Sequence, residues 1–65
     1  KIDFSEVIET VVCNIEYKKD QDDEISIYVG DIILVLEKDI DEGWDKGRNM
    51  TTNMEGVFPV GYVIQ

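Results

Sequence analysis

No segment of this 65-residue chain spaces its apolar residues at helical period; every apolar run is short and either alternates or is cut by a polar turn. From Thr10, the stretch TVVCNIEY puts Val11, Cys13, Ile15 and Tyr17 on one parity, the period of a half-buried strand. KKDQDDE follows without a single apolar side chain, so it cannot enter a core and must be a loop. ISIYVGDIILVLEK holds two β-branched runs split at Val29-Gly30-Asp31, with Ile25/Ile27 and Ile33/Val35 as alternating core candidates. DIDEG reads as a second acidic loop. WDKGRNM and EGVFPV read as two further strands around the polar turn TTN, and GYVIQ closes the chain. Pro59, the sole proline, falls after a strand, where its missing N–H donor is harmless. The pattern predicts an all-β domain over residues 10–65, five short strands in a compact barrel or sandwich. Residues 1–9 form a flanking arm: Ile2, Phe4, Val7 and Ile8 fit neither period, and Phe4 is expected to pack on the domain.

A chain of this length buries only about 60% of its unfolded surface, so its core is thin. No apolar run approaches the roughly 20 residues of a bilayer span, and no basic-then-apolar leader is present. Opening on Lys1 rather than methionine, the chain is expected to be a monomeric domain within a larger protein. Cys13 is the single cysteine and has no internal partner for a disulfide, which favours a reducing, cytoplasmic setting. Net charge is -9, from 6 basic and 15 acidic residues. Phosphate backbones and anionic membranes need clustered Lys/Arg, so nucleic acid and direct membrane binding are disfavoured and a cationic partner is favoured. Asn49-Met50-Thr51 matches a glycosylation sequon, a tripeptide that recurs by chance.

Catalysis finds little to work with. The chain has no histidine, Cys13 is expected to be buried, and Ser5 and Ser26 lack a base in any recognised arrangement. The acidic stretches DQDDE and DIDEG carry oxygen ligands but not the glycine and distal glutamate of a calcium loop, so no metal and no cofactor is expected.

Four collinear fragments then carry a resemblance. Cys13-Asn14-Ile15-Glu16-Tyr17 stands where SH3 domains have Ala-Leu-Tyr-Asp-Tyr, and DEISI where they have Asp-Glu-Leu-Ser-Phe. After GDII, GWDKGR is similar to Gly-Trp-Trp-x-Gly-Arg, and GVFPVGYV to Gly-Leu-Phe-Pro-Ser-Asn-Tyr-Val. The match runs from about Val11 to Ile64. Around EYKKDQDDE and GRNMTTNMEG the chain is similar to SH3 domains of fungal cell-polarity and actin scaffolds. The resemblance implies a five-stranded, partly open barrel with a long first loop and a short 3-10 turn near Pro59. Its core would be Val11, Cys13, Ile25, Ile27, Ile33, Val35, Phe58 and Val63, the parity that the alternation picks out independently.

It also implies a function: a non-catalytic adaptor module binding proline-rich, Arg/Lys-flanked segments of another protein or of the same chain. A polyproline II ligand loses little conformational entropy on docking, and flat rings offer ridges between which prolines fit. The implied peptide-binding residues are Ile15, Tyr17, Trp44, Pro59 and Tyr62. Asp22, Asp23 and Glu24 of the first acidic loop, with Asp41 and Glu42 of the second, would pair with the ligand's basic residue. Three positions depart from the family pattern. Ile15 replaces a tyrosine of the outermost proline pocket, Asp45 replaces the second tryptophan and adds a negative charge, and Gly61 replaces an asparagine that commonly bonds the ligand backbone. Each loss costs on the order of 1 kcal/mol of binding, so an atypical preference leaning on basic residues is expected. Two other readings compete: a Tudor-like reader of methylated lysine, since rings and carboxylates suit a quaternary ammonium, and an SH3 fold docking through a non-proline surface.

Overall fold

The computed structural model describes residues 3–65; Lys1 and Ile2 of the arm lie outside the described residues. Five strands, β1 (Glu9–Cys13), β2 (Ile32–Asp41), β3 (Trp44–Asn49), β4 (Met54–Pro59) and β5 (Val63–Ile64), form one antiparallel sheet in the order β4-β3-β2-β1-β5. Single 3-10 turns cover Phe4–Glu6 and Val60–Tyr62, the second directly after Pro59. The sheet does not close on itself. Its β4 edge is covered instead by the long loop between β1 and β2, whose Ile25 N–H donates to Val57 O (2.9 Å) while Val57 N–H donates to Asp23 O (2.9 Å). Covering an edge this way satisfies its exposed N–H and C=O groups.

That loop is where expectation and structure part. ISIY is not a strand: Ile27 makes a single bridge with Tyr17, and Glu24, just before the segment, makes one with Val57. The segment serves two partners in turn, Tyr17 through Ile27 and β4 through Ile25, and so runs alongside neither. The fifth strand is Val63–Ile64, pairing with Val12 and Cys13. β1 ends at Cys13 rather than Tyr17, because Asn14 and Ile15 turn to donate their N–H groups to the Tyr62 carbonyl (2.8 and 3.1 Å). The second acidic loop is shorter than expected. β2 continues through Asp41 with irregular register after Val35 and a left-handed Asp39 (φ 55°), leaving the exposed pair Glu42-Gly43 to turn the chain.

Val11, Cys13, Ile25, Ile27, Ile33, Val35 and Phe58 form the buried core, with Val63, Tyr17 and Tyr62 packed against it. Leu34 is also buried, on the opposite parity, between Thr10 of β1 and Arg48 of β3. Phe4 does not pack on the domain; it is 66% exposed. Two buried polar residues fix the loops at one end of the barrel. Asn49 is fully buried; its amide donates to Asp31 Oδ2 (2.7 Å) and its carbonyl accepts from Thr51 N–H (2.9 Å) and Thr52 N–H (3.3 Å). Asp31 in turn accepts from Tyr28 N–H (3.0 Å). Burial of these groups is tolerated because each is paired. It also closes Asn49 to any role as a glycan acceptor.

Candidate peptide-binding site

Three aromatic rings converge on one face. Tyr17 is anchored by its reciprocal bridge to Ile27, Trp44 opens β3, and Tyr62 ends the 3-10 turn that Pro59 introduces. Tyr17 meets both others edge to face, at centroid distances of 5.7 Å to Trp44 and 5.6 Å to Tyr62, each with an interplanar angle of 79°. Edge-to-face contact is the favoured packing of ring quadrupoles. All three are half-buried, so each keeps a surface for solvent or a ligand. Ile15, half-exposed, adjoins Tyr62 through the bond from its N–H to the Tyr62 carbonyl. Pro59 lies opposite Trp44 in the β3–β4 ladder but is buried, so its part here is to hold the backbone between two rings rather than to offer a broad face.

Beside Trp44 opens a concavity of about 370 Å³ lined by Gln21, Asp23, Glu24, Ile40, Asp41, Trp44 and Val57. Of the five carboxylates expected near the groove, Asp23, Glu24 and Asp41 line it. Asp22 and Glu42 do not; both are exposed, and the Glu42 N–H donates to Asp41 Oδ1 (3.0 Å), steadying that carboxylate. Asp45 is also elsewhere. It is buried, accepts from Asp39 N–H (2.9 Å) and pairs with Lys38 Nζ (3.3 Å), a cation it shares with Glu9 (2.5 Å), so the negative charge it adds is partly offset and stays out of the groove. Gly61 stands in the open beside Tyr62: a Cβ added there meets nothing within 4 Å.

The sequence reading missed the bond that joins the rings to the pocket. Tyr17 OH donates to Glu24 Oε1 (2.6 Å), the atom that also accepts from Asp20 N–H (2.8 Å). The tyrosine hydroxyl, with help from the Asp20 N–H, holds the Glu24 carboxyl below its usual range, and the same bond pushes Tyr17 up to about 12. The two ends of the pH scale follow from these directions. A depressed carboxyl contributes stability that is present above its unfolded pKa and is lost as pH falls through the folded one. Tyr17 contributes in the opposite sense: its share is present below 10.0 and is lost as pH rises through about 12. Titrating the Tyr17 ring by NMR should place its phenolate near 12, and Glu24→Gln should move it back towards 10.0. An unshifted Tyr17 in the wild type means that this bond does not form. Three lining residues were also missed: Ile40, an apolar wall inside a stretch read only for its acids, and Gln21 and Val57.

Among the described residues no cluster of three or more His, Cys, Asp or Glu side chains is arranged to hold a metal, and no helix is long and apolar enough to cross a membrane. Comparison with known proteins gives a consistent result. The family model described as SH3 domain matches residues 15–60. The chain is 43% identical over 47 residues to a Caenorhabditis elegans homolog of Sorbin and SH3 domain-containing protein 1, covering 72% of this chain and 5% of that protein. It is 45% identical over 47 residues to BEM1-interacting protein 2 of Saccharomyces cerevisiae, covering 69% of this chain and 4% of that protein. The chain thus spans about a twentieth of the length of these relatives. Among solved structures, the second SH3 domain of yeast Bzz1 aligns with a TM-score of 0.77 and 36% identity over 86% of this chain and all of that one. The C-terminal SH3 domain of Myosin IB from Entamoeba histolytica, solved with a bound peptide, aligns with a TM-score of 0.72 and 44% identity over 83% of this chain and 85% of that one. With the expected five-stranded open sheet, the 3-10 turn after Pro59 and a family match across 15–60, the chain belongs to the SH3 domain family.

Proposed function

We propose that this domain, a protein-interaction module by family, binds proline-rich segments flanked by arginine or lysine, supplied by another protein or by the same chain. The observation that carries the reading is the junction at Trp44: one half-exposed indole borders both the row of rings and the pocket holding Asp23, Glu24 and Asp41. The rings would seat a polyproline II ridge, with Ile15 beside Tyr62 and Pro59 holding the backbone. The pocket would receive the basic side chain, and Asp22 and Glu42 would add to the surrounding negative field without direct contact. The peptide-bound Myosin IB domain supports the general mode. A cytoplasmic scaffold or adaptor of the cytoskeleton and cell polarity is the setting we infer, supported by the unpaired, buried Cys13 and by the yeast and myosin relatives. Residues 1–9 we take as a flanking arm to the domain proper, its last residue, Glu9, already pairing with Val35 at the start of β1.

Specificity is proposed to be atypical because Ile15 and Gly61 remove contacts that the family pattern supplies. Gly61 gives the test. Its surroundings are empty, so Gly61→Asn should fold normally and tighten a proline-rich, arginine-flanked peptide about fivefold, the worth of roughly one net hydrogen bond. A trimethyl-lysine peptide without prolines should bind neither form. Preference for that peptide, or no binding of the proline-rich one, removes this reading.

A further inference from the structure

β2 and β3 fall out of step beside the acidic pocket. Glu37 pairs with Lys46 and Asp41 with Trp44, so three residues of β2, Lys38 to Ile40, stand against Asp45 alone. A bulge of this kind bends its strand and re-aims the side chains that follow. It contains Asp39 in the left-handed region (φ 55°), a conformation that a non-glycine residue keeps only where its surroundings hold it. The last bulged residue, Ile40, and the next one, Asp41, are two walls of the pocket.

What holds the bulge is the side chain opposite it. Asp45 is 3% exposed, on the inward parity of β3 with Gly47 and Asn49. One of its carboxylate oxygens accepts the Asp39 N–H (2.9 Å), and the other meets Lys38 Nζ (3.3 Å). Two of the three bulged residues are thus tied to one buried carboxylate. Lys38 also reaches Glu9 Oε1 (2.5 Å), which fastens the bulge to the start of β1. The two contacts of Asp45 differ in what they fix. The Asp39 bond holds backbone one residue before Ile40, whereas the lysine amine sits at the end of a flexible stem. An asparagine at position 45 keeps an oxygen for the Asp39 N–H but loses the ion pair, so the two contacts separate by experiment.

We propose that Asp45 is a positioning residue for the acidic pocket. By accepting the Asp39 N–H it fixes the bulge that sets Ile40 and Asp41 beside Trp44, and so sets how strongly the domain prefers an arginine-flanked segment. The preference rests on the reading of the groove given above; the hold on the bulge does not.

Wild type, Asp45→Asn and Asp45→Ala are compared, with folding read from urea unfolding and the dispersion of the 15N spectrum, neither of which involves a peptide. In the free wild-type domain the Asp39 amide, although its residue is exposed, should exchange with solvent about tenfold more slowly than in an unstructured chain. Asp45→Ala should remove that protection and displace the Ile40 methyl and Asp41 amide signals, while Asp45→Asn should resemble wild type. Affinity is then measured for a proline-rich peptide with a flanking arginine and for its glutamine analogue. Asp45→Ala should reduce the preference for arginine about fivefold and change affinity for the glutamine peptide less than about twofold. Asp45→Asn, which removes the same charge, should keep the preference. If Asp45→Ala fails to fold, Asp45→Leu, which fills the same space without an acceptor, replaces it. An unprotected Asp39 amide in the wild type, or equal loss of preference in the asparagine and alanine variants, overturns the proposal. A wild-type domain that binds both peptides while Asp45→Ala keeps the full preference overturns it alone and leaves the groove's role intact. A wild-type domain that binds neither peptide overturns the reading of the groove and, with it, the arginine preference assigned to Asp45, whereas the amide exchange still decides whether Asp45 holds the bulge.

Discussion

Gly47→Ala is expected to leave much of the population unfolded, with the urea midpoint collapsing towards zero. Gly47 lies buried inside β3, paired to Val35 of β2 on one side and Gly56 of β4 on the other. An added Cβ would stand 2.6 Å from the Leu34 carbonyl oxygen, 2.9 Å from Ile33 Cγ2 and 3.0 Å from Phe58 Cε1. The first neighbour is backbone within the β2–β3 ladder and cannot retreat without losing hydrogen bonds; the other two belong to fully buried core residues. Overpacking at such a site costs about 3 kcal/mol. A single core of this size rarely supplies more than about 3–5 kcal/mol in total, so one methyl group removes most of the margin. A loss under about 1 kcal/mol would show that the strands do not approach as described.

Trp44→Ala has the opposite signature: binding lost, fold kept. The indole forms the wall shared by the ring array and the acidic pocket, so its removal opens both at once. A central aromatic anchor of this kind is worth at least about 2 kcal/mol, or roughly a 30-fold loss of affinity for a proline-rich, arginine-flanked peptide. The backbone pairings of position 44 with Asp41 and Pro59 do not need the side chain, and the ring contributes to no fully buried cluster. Stability should therefore fall by no more than about 1 kcal/mol. Calorimetric titration measures the first quantity and urea unfolding the second. Unfolding of the variant would place the indole among the residues that hold the barrel together.

How much of this was legible beforehand depends on what each residue faces. Parity found most of the core because successive side chains of a strand point to opposite faces: Val11 with Cys13, Ile25 with Ile27 and Ile33 with Val35 are buried as pairs, and only Leu34, buried on the other face of β2, escaped it. The same parity misplaced a strand. Ile25 and Ile27 alternate like strand residues because the long loop lays them against the core, although their backbones pair with different partners. Val63–Ile64 was hidden by its shortness, two residues being too few to show a period. The rings Tyr17, Trp44 and Tyr62 could be nominated from motif positions, but the Tyr17–Glu24 bond spans seven residues of irregular loop and no spacing rule anticipates it. Asp45 carries the clearest lesson. In the family pattern it replaces a second tryptophan, which predicts only an added negative charge. Strand alternation turns it away from Trp44 and into the reach of Lys38, a buried pairing that the motif comparison does not show.

The most direct measurement is a backbone and side-chain shift map of the wild-type domain with a proline-rich, arginine-flanked peptide at saturation. The expected map puts the largest changes on the Trp44 indole, the Tyr17 and Tyr62 rings, and Asp23 and Glu24 around the acidic pocket. Changes centred away from Trp44, or none at peptide concentrations that saturate other SH3 domains, would contradict it.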